Sequence, residues 1–294
     1  MNITITGSLG NIGRRLTAKL IASGHTVTVI SSNDQRADEI RQLQAIPAIG
    51  SVSDAAFLQQ VFTGADAVFT MVPPDFSVPD HHTHIRETAA RYAQAIATAG
   101  VKYVVNLSSV GAHTPEGAGP SGAHYHVEQQ LNALTVTNIL HIRPGMFYTN
   151  FLGAVPVVKQ HHMLGNNFDA AVSAALTHPE DIASAAAAYF NAPVTGKHIR
   201  YVVSDVRTGG EIAATLGRAI GMPELPWVSF PDEAMLQSLV QSGMTTAAES
   251  FYIIEIGKAL RNGSLLEDFL RQQHQAGGQS LEAFAKEFAQ VYHA

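Results

Sequence analysis

The 294-residue chain has no cysteine, and only 14% of its residues are charged, against about 25% in an ordinary soluble protein. The missing cysteine excludes disulfides, thiol chemistry and any zinc site built on thiolates. The sparse charge, 18 Lys+Arg against 24 Asp+Glu for a net of −6, includes no basic run long enough to follow a phosphate backbone, so direct nucleic-acid binding is not expected. Long hydrophobic runs are also lacking: the one ending at Ala185-Ala186-Ala187-Ala188 falls far short of the ~20 residues a bilayer crossing needs. In place of a charged and then apolar leader the chain opens on strand-like Asn2-Ile3-Thr4-Ile5-Thr6, which predicts a cytoplasmic protein with no membrane span. No G-x-S-x-G elbow occurs, which argues against an α/β-hydrolase. What the chain does have is a 46% hydrophobic share and enough length for one large α/β domain with a smaller lobe.

Short β-rich runs at 3–6, 26–30, 46–49, 67–72, 101–107 and 137–142 alternate with helical stretches. That rhythm predicts an α/β fold with a Rossmann-type, doubly wound parallel sheet. Helix signals agree: Ser53-Asp54 opens a segment closed by Gly64, and Gly24 and Gly100 stand just past helical patterns. After Asn150 the rhythm loosens, a helix at 181–190 follows, and a strand at 199–203 is expected to rejoin the main sheet. From Thr208 the pattern is mostly helical apart from a short strand at 226–230. The expected division is a dinucleotide-binding domain of 1–150 completed by 178–204, and a smaller, mostly helical lobe of 205–294 with 151–177.

The strongest chemical signal is Thr6-Gly7-Ser8-Leu9-Gly10-Asn11-Ile12-Gly13, after the first strand and at the start of a helix in which Ile12, Leu16 and Leu20 recur at helical spacing. Gly7 suits a tight turn, Gly10 a close approach of backbone to a pyrophosphate, and Gly13 close packing of helix on sheet. The helix N-terminus then offers free N–H groups and a positive dipole end to the phosphates. The other reading is an ordinary β–α turn that happens to be glycine-rich. Met71-Val72-Pro73, after the fourth strand, is expected over the cofactor ribose, because ligands bind beyond the carboxyl ends of such strands.

The glycine spacing resembles the GxxGxxG of short-chain dehydrogenases/reductases. Asn106-Leu107-Ser108-Ser109 is similar to that superfamily's N-x-S-S, and Arg143-Pro144-Gly145-Met146-Phe147-Tyr148-Thr149-Asn150 resembles the R-P-G stretch of its atypical branch. With residues 64–69, 99–103 and 178–183, the pattern is similar to the NmrA-like group of NAD(P)H-binding proteins over about 200 residues. The resemblance implies a nicotinamide beside Ser109. It implies either a reductase or a cofactor sensor that catalyses little.

At the second strand's tip, where Asp or Glu would select NAD, the chain reads Ile30-Ser31-Ser32-Asn33. Ser31 and Ser32 hydroxyls, with Arg36 or Arg14, suit a 2′-phosphate, so NADP(H) is expected ahead of NAD(H). Asp34, just beyond the tip, is the counter-signal. The resemblance also implies a catalytic Tyr with Lys four residues later, but the candidate Tyr125 is followed by Gln129. Tyrosine, with an ordinary pKa of about 10, is a poor base at neutral pH without a nearby cation. The stretch from His124 to Leu131 instead resembles the H-x-x-x-E-x-x-L of quinone reductases in this group. His124 and Glu128 share a helix face, so Glu128 would orient or charge the imidazole. Phe147, Tyr148 and Asn150, with Phe151 and Phe168, are the expected substrate pocket. No metal is expected at Asp80-His81-His82-Thr83-His84, since neighbouring side chains on a helix diverge. The leading expectation is hydride transfer from NAD(P)H to a quinone-like or other small conjugated acceptor. The alternative is a non-catalytic NADP(H) sensor that binds a protein partner.

Overall fold

The computed structural model describes residues 1–115, 118–241, 243 and 245–294. Its strands are β1 (Asn2–Ile5), β2 (Thr26–Ser31), β3 (Ile46–Ile49), β4 (Ala67–Thr70), β5 (Tyr103–Leu107), β6 (Asn138–Pro144), β7 (Met146–Phe147), β8 (Leu164–Asn166), β9 (Ser173–Thr177), β10 (Lys197–Val202), β11 (Asp205–Thr208) and β12 (Trp227–Ser229). Seven of them form one sheet in the order β3-β2-β1-β4-β5-β6-β10, every neighbouring pair parallel. Chain order reverses between β1 and β4. In an open parallel sheet that switch point opens a crevice beyond the strands' carboxyl ends, where ligands bind.

Helices cover both faces because the strand side chains alternate. On β5, Val104 packs with α3 (Ala55–Phe62), α4 (His81–Ala99) and α5 (Pro120–Asn132), through Leu58, Tyr92 and Leu131 among others. Its neighbour Val105 points the other way, into a core with Leu16 and Leu20 of α1 (Gly13–Ala22) and Ile182 and Ala186 of α7 (Pro179–Asn191). Local signals set the helix ends: Asp54 Oδ1 accepts from the amides of Ala56 and Phe57 at 2.9 and 3.1 Å, and Gly100 takes a left-handed φ of +65° after α4.

Strand β10 returns to the sheet edge beside β6. The segments around it build a second core through Tyr148, Phe151, Phe168, Leu216, Phe269, Phe284 and Phe288. These include α6 (Val155–His161), α8 (Gly209–Ala219), α11 (Glu255–Arg261), α12 (Glu267–Arg271) and α13 (Leu281–His293), while α9 (Asp232–Gln241) and α10 (Thr246–Glu249) lie between α8 and α11 in the chain. This region carries two small sheets besides its helices. In one, β9 runs parallel to β7 and antiparallel to β11; in the other, β8 and β12 are parallel. These strands of two to five residues are too short to show a readable alternation. Among the described residues no helix is long and apolar enough to cross a membrane.

Candidate functional site

The turn after β1 is held open by its own hydrogen bonds. Met71 N donates to Thr6 Oγ1 at 2.9 Å, Thr6 Oγ1 donates to Met71 O at 3.2 Å, and Tyr92 OH donates to the same carbonyl at 2.8 Å. Gly7 has φ +88° and Ser8 +56°. A Cβ on Gly13 would lie 2.0 Å from Ser8 O, so the close approach at Gly13 is to the turn itself and not to the sheet. A Cβ on Gly10 would meet nothing nearer than Gly7 O at 3.7 Å. Nothing in the chain therefore requires glycine at 10. Leu9 and Ile12 are buried and anchor the turn, while exposed Asn11 reaches Thr149 Oγ1 at 3.3 Å. Ile12, just before α1, supplies no capping bond, and α1 has no acidic residue in its first turn. Uncapped amides facing a position free of side chain fit a pyrophosphate.

At the tip of β2 the Ser31 hydroxyl already has partners. Ser31 is buried, its hydroxyl accepts from Ser8 Oγ at 3.0 Å and Asn33 N at 3.2 Å, and it donates to Asn33 O at 3.1 Å. Its only proton braces the turn through Asn33 O. Ser32 is exposed. Arg36 and Arg14 both come to Glu39, with Arg36 Nη1 at 3.1 Å from Oε2 and Arg14 Nη2 on Oε1.

A cavity of about 530 Å³ lies between the sheet and the second core. Val72, Ser109 and Gly145, beyond β4, β5 and β6, form one wall, and Tyr252, Ile256 and Leu260 the other. Its described lining has no Asp, Glu, Lys or Arg. Phe147, Asn150, Phe168 and His124 also line it. Tyr148 does not: it is fully buried, donates to Gln279 O at 3.1 Å and stacks on Phe284 at 5.1 Å. The chain turns at 147–148, so adjacent aromatics point into different cores. Pro73 sits at the β4 loop, where its carbonyl contacts His84 Nε2 at 3.2 Å.

His124 is half-buried on α5, and its Nδ1 is buried without a hydrogen-bond partner. Burial outweighs the opposing pull of the Glu128 charge and pushes the imidazole down to about 4. At neutral pH it is uncharged. Beside it in the lining, Ser109 Oγ and Ser121 Oγ share a hydrogen bond of 2.7 Å.

Glu128 has a different task from the one its spacing suggested. Its carboxylate accepts from Ser108 Oγ at 2.5 Å and takes Arg143 in a bidentate pair, Nε at 2.9 Å and Nη2 at 2.7 Å. Arg143 continues to Ala112 O, Tyr201 OH and Asp268 Oδ2 at 3.0, 2.9 and 3.3 Å. Burial would raise the Asp268 carboxyl, but hydrogen bonds from Tyr201, Arg271 and Gln272 hold it at about 2. This buried network was missed by sequence reasoning, although an arginine inside the apolar run of β6 must find a partner, and that was a usable signal. Tyr125 does not line the cavity; its ring meets His126 edge-on at 5.5 Å.

At the start of α4, His81 and His82 both meet the Phe251 ring, while His84 turns to Pro73 O. His81 is buried, stacks on Phe251 at 5.3 Å and has no partner for either ring nitrogen. Among the described residues no group of three or more His, Asp or Glu is placed to hold a metal ion.

Residues 1–257 match the model of the NmrA-like family. A (4-alkanoyl-5-oxo-2,5-dihydrofuran-3-yl)methyl phosphate reductase of Streptomyces griseus subsp. griseus is 28% identical over 225 residues, which is 75% of this chain and 74% of that protein. An NADPH-dependent quinone oxidoreductase from Escherichia coli, solved with NADPH, superposes with a TM-score of 0.80 at 18% identity, over 97% of this chain and 99% of that one. The triphenylmethane reductase of Citrobacter sp., solved with NADP(H), superposes at 0.79 with 19% identity, over 98% of this chain and 100% of that one. At these identities the structural likeness is one of fold.

Proposed function

The chain belongs to the NmrA-like family, and from that premise we propose that it is a reductase using NADP(H) in preference to NAD(H), with a small, uncharged, quinone-like acceptor. The observation that carries the proposal is the apolar cavity at the carboxyl ends of β4, β5 and β6, which holds a neutral imidazole and a serine pair and no charged group among its described lining residues. A half-open, mostly apolar space with a few convergent polar groups is what a small conjugated molecule needs. The named relatives, a quinone oxidoreductase, a dye reductase and a furanone phosphate reductase, support the reaction class.

When bound, NADPH supplies the hydride. The amides at the start of α1 and the open face of Gly10 would hold its pyrophosphate, and Arg14 and Arg36 would favour a 2′-phosphate. The acceptor would lie against Phe147 and Val72, in a cavity that stays open to water on one side. As negative charge develops on its oxygen, a ring N–H of neutral His124 or the hydroxyl of Ser109 donates a hydrogen bond to it. A quinone's reduced oxygen is resonance-stabilised and takes its proton from water, so the site works without the Tyr–Lys pair that alcohol oxidation requires.

The test follows NADPH oxidation with a panel of quinones, alongside calorimetric cofactor binding. Tyr125→Phe should keep most of the turnover. His124→Ala should lose about 10²-fold, the lower end for a polar catalytic group, with NADPH affinity unchanged. Tight NADPH binding without any acceptor-dependent oxidation in the unmodified protein would overturn the reductase reading in favour of a cofactor sensor.

A further inference from the structure

We propose that Glu39 sets the selectivity of the cofactor's adenosine end: it holds Arg14 and Arg36 together beside the tip of β2, and a 2′-phosphate takes these cations over from it. The inference rests on the dinucleotide reading above and adds to it a residue that weakens the phosphorylated cofactor selectively.

The two arginines come from different elements. Arg14 stands one residue past Gly13 in the first turn of α1, and Arg36 follows β2. Glu39, in α2 (Ala37–Gln42), spends one carboxylate oxygen on each. In this fold the ribose carrying the 2′ position lies at the tip of β2. That tip, Ser31-Ser32-Asn33, has no acid to accept a 2′-hydroxyl, and the Ser31 proton is already used. The counter-charges for a phosphate there are the two arginines.

The cluster is cheap to open. The side chains of Arg14, Arg36 and Glu39 are 44%, 43% and 35% exposed, and exposed ion pairs contribute little to stability. A phosphate monoester carries about −1.5 to −2 charges and three acceptor oxygens, so it outcompetes a single carboxylate for two forked donors. Glu39 is tethered to α2 and stays close after it is displaced. Its charge then opposes the phosphate. A 2′-hydroxyl meets no such opposition and leaves the cluster closed. Glu39 therefore lowers affinity for NADPH while leaving NADH alone, and it keeps two arginines ordered beside the site before the cofactor arrives. The opposite assignment, with Glu39 accepting the 2′-hydroxyl of NADH, makes the opposite prediction.

The experiment is calorimetry on the full chain and on Glu39→Gln with NADPH, NADH, adenosine 2′,5′-bisphosphate and 5′-AMP, at low and physiological salt. Glu39→Gln should bind NADPH and the bisphosphate on the order of tenfold more tightly at low salt, with the gain shrinking as salt screens it. NADH and 5′-AMP should stay within about twofold, since neither carries a charge at this position. Arg14→Gln should weaken the two 2′-phosphorylated ligands alone, which reads the same cluster through an independent variant. Unchanged NADPH affinity in Glu39→Gln, or an equal change for NADH, overturns the inference and leaves the cofactor reading standing. A loss confined to NADH assigns Glu39 to the ribose hydroxyl and overturns it too. Binding of neither dinucleotide by the unmodified protein removes both readings at once.

Discussion

Gly10 and Gly13 stand three residues apart in one turn and are glycine for different reasons. A side chain at 13 would collide with the backbone at Ser8 O, 2.0 Å from the built Cβ, whereas one at 10 would enter space that the chain leaves free. Substitution at 13 therefore tests the fold, and substitution at 10 tests the ligand. Gly10→Asp should stay folded, with a melting temperature within a few degrees of the unmodified protein, and should lose NADPH binding, because both its bulk and its charge oppose a pyrophosphate. Calorimetry on the folded variant checks this; retained affinity would move the pyrophosphate away from this turn. The same distinction applies to the serines of the β2 tip. Ser31 belongs to the architecture through Ser8 and Asn33, and Ser32 is exposed.

At the scale of the element, α5 shows how one helix face serves two environments. His124 and Glu128 are four residues apart and so lie on the same face, but one turn of helix rises about 5.4 Å. That rise carries Glu128 from the cavity into the region beneath the sheet ends, where it meets Arg143 and Ser108. The pair is almost fully buried, with 5% and 2% of the two side chains exposed. Glu128→Ala would leave the guanidinium without its bidentate acceptor, and breaking a buried pair in this way costs about 3–5 kcal/mol. Equilibrium denaturation checks the figure. The double variant Glu128→Ala/Arg143→Met should lose less than the sum of the two single losses, because neither charge is then stranded. Strict additivity would show that the two residues contribute independently.

Across the whole molecule, buried histidines set the response to acid. Burial pushes His141 down to about 4, with Glu128 opposing and Arg143 assisting, as burial also does for His124. Unfolding releases both to about 6.5. Between these values the unfolded chain binds more protons, so stability falls as pH drops. The contribution is intact above about 6.5 and is lost progressively toward 4, at about 3 kcal/mol at the limit for buried His141 and less for half-buried His124. Asp268, held at about 2, has the same sign in a lower window, with stability present above its unfolded value and lost as pH falls toward 2. Denaturant midpoints should be level from pH 8 to 6.5 and decline by pH 5; a level profile down to pH 4.5 would contradict the assignment. The network through Arg143, Tyr201 and Asp268 joins β6 and β10 to α12, so loss of the second core and loss of the sheet are expected in one transition.

The sequence alone determined what depends on neighbours along the chain. The glycine turn after β1, the parallel rhythm, the Asp54 cap, the missing Lys at 129 and the return of β10 to the sheet were legible because turn chemistry, periodicity and capping are local. Resemblance to the family's motifs singled out Ser109 and His124, and Phe147 and Asn150 were expected in the substrate pocket; all four line one cavity. Spacing could not decide the task of a side chain whose partner is remote. Glu128 was assigned to His124 because both lie on α5, while its ion partner Arg143 comes from β6. Tyr148 was grouped with Phe147 because they are adjacent, while the chain turns between them. Ser31 was read as free to meet a phosphate, while its hydroxyl already engages Ser8 and Asn33, and the pairing of Arg14 and Arg36 through Glu39 was not legible in the sequence. Each of these outcomes was settled by contacts between elements, where burial makes an unpaired charge or hydroxyl costly and the fold supplies whichever partner it has brought within reach.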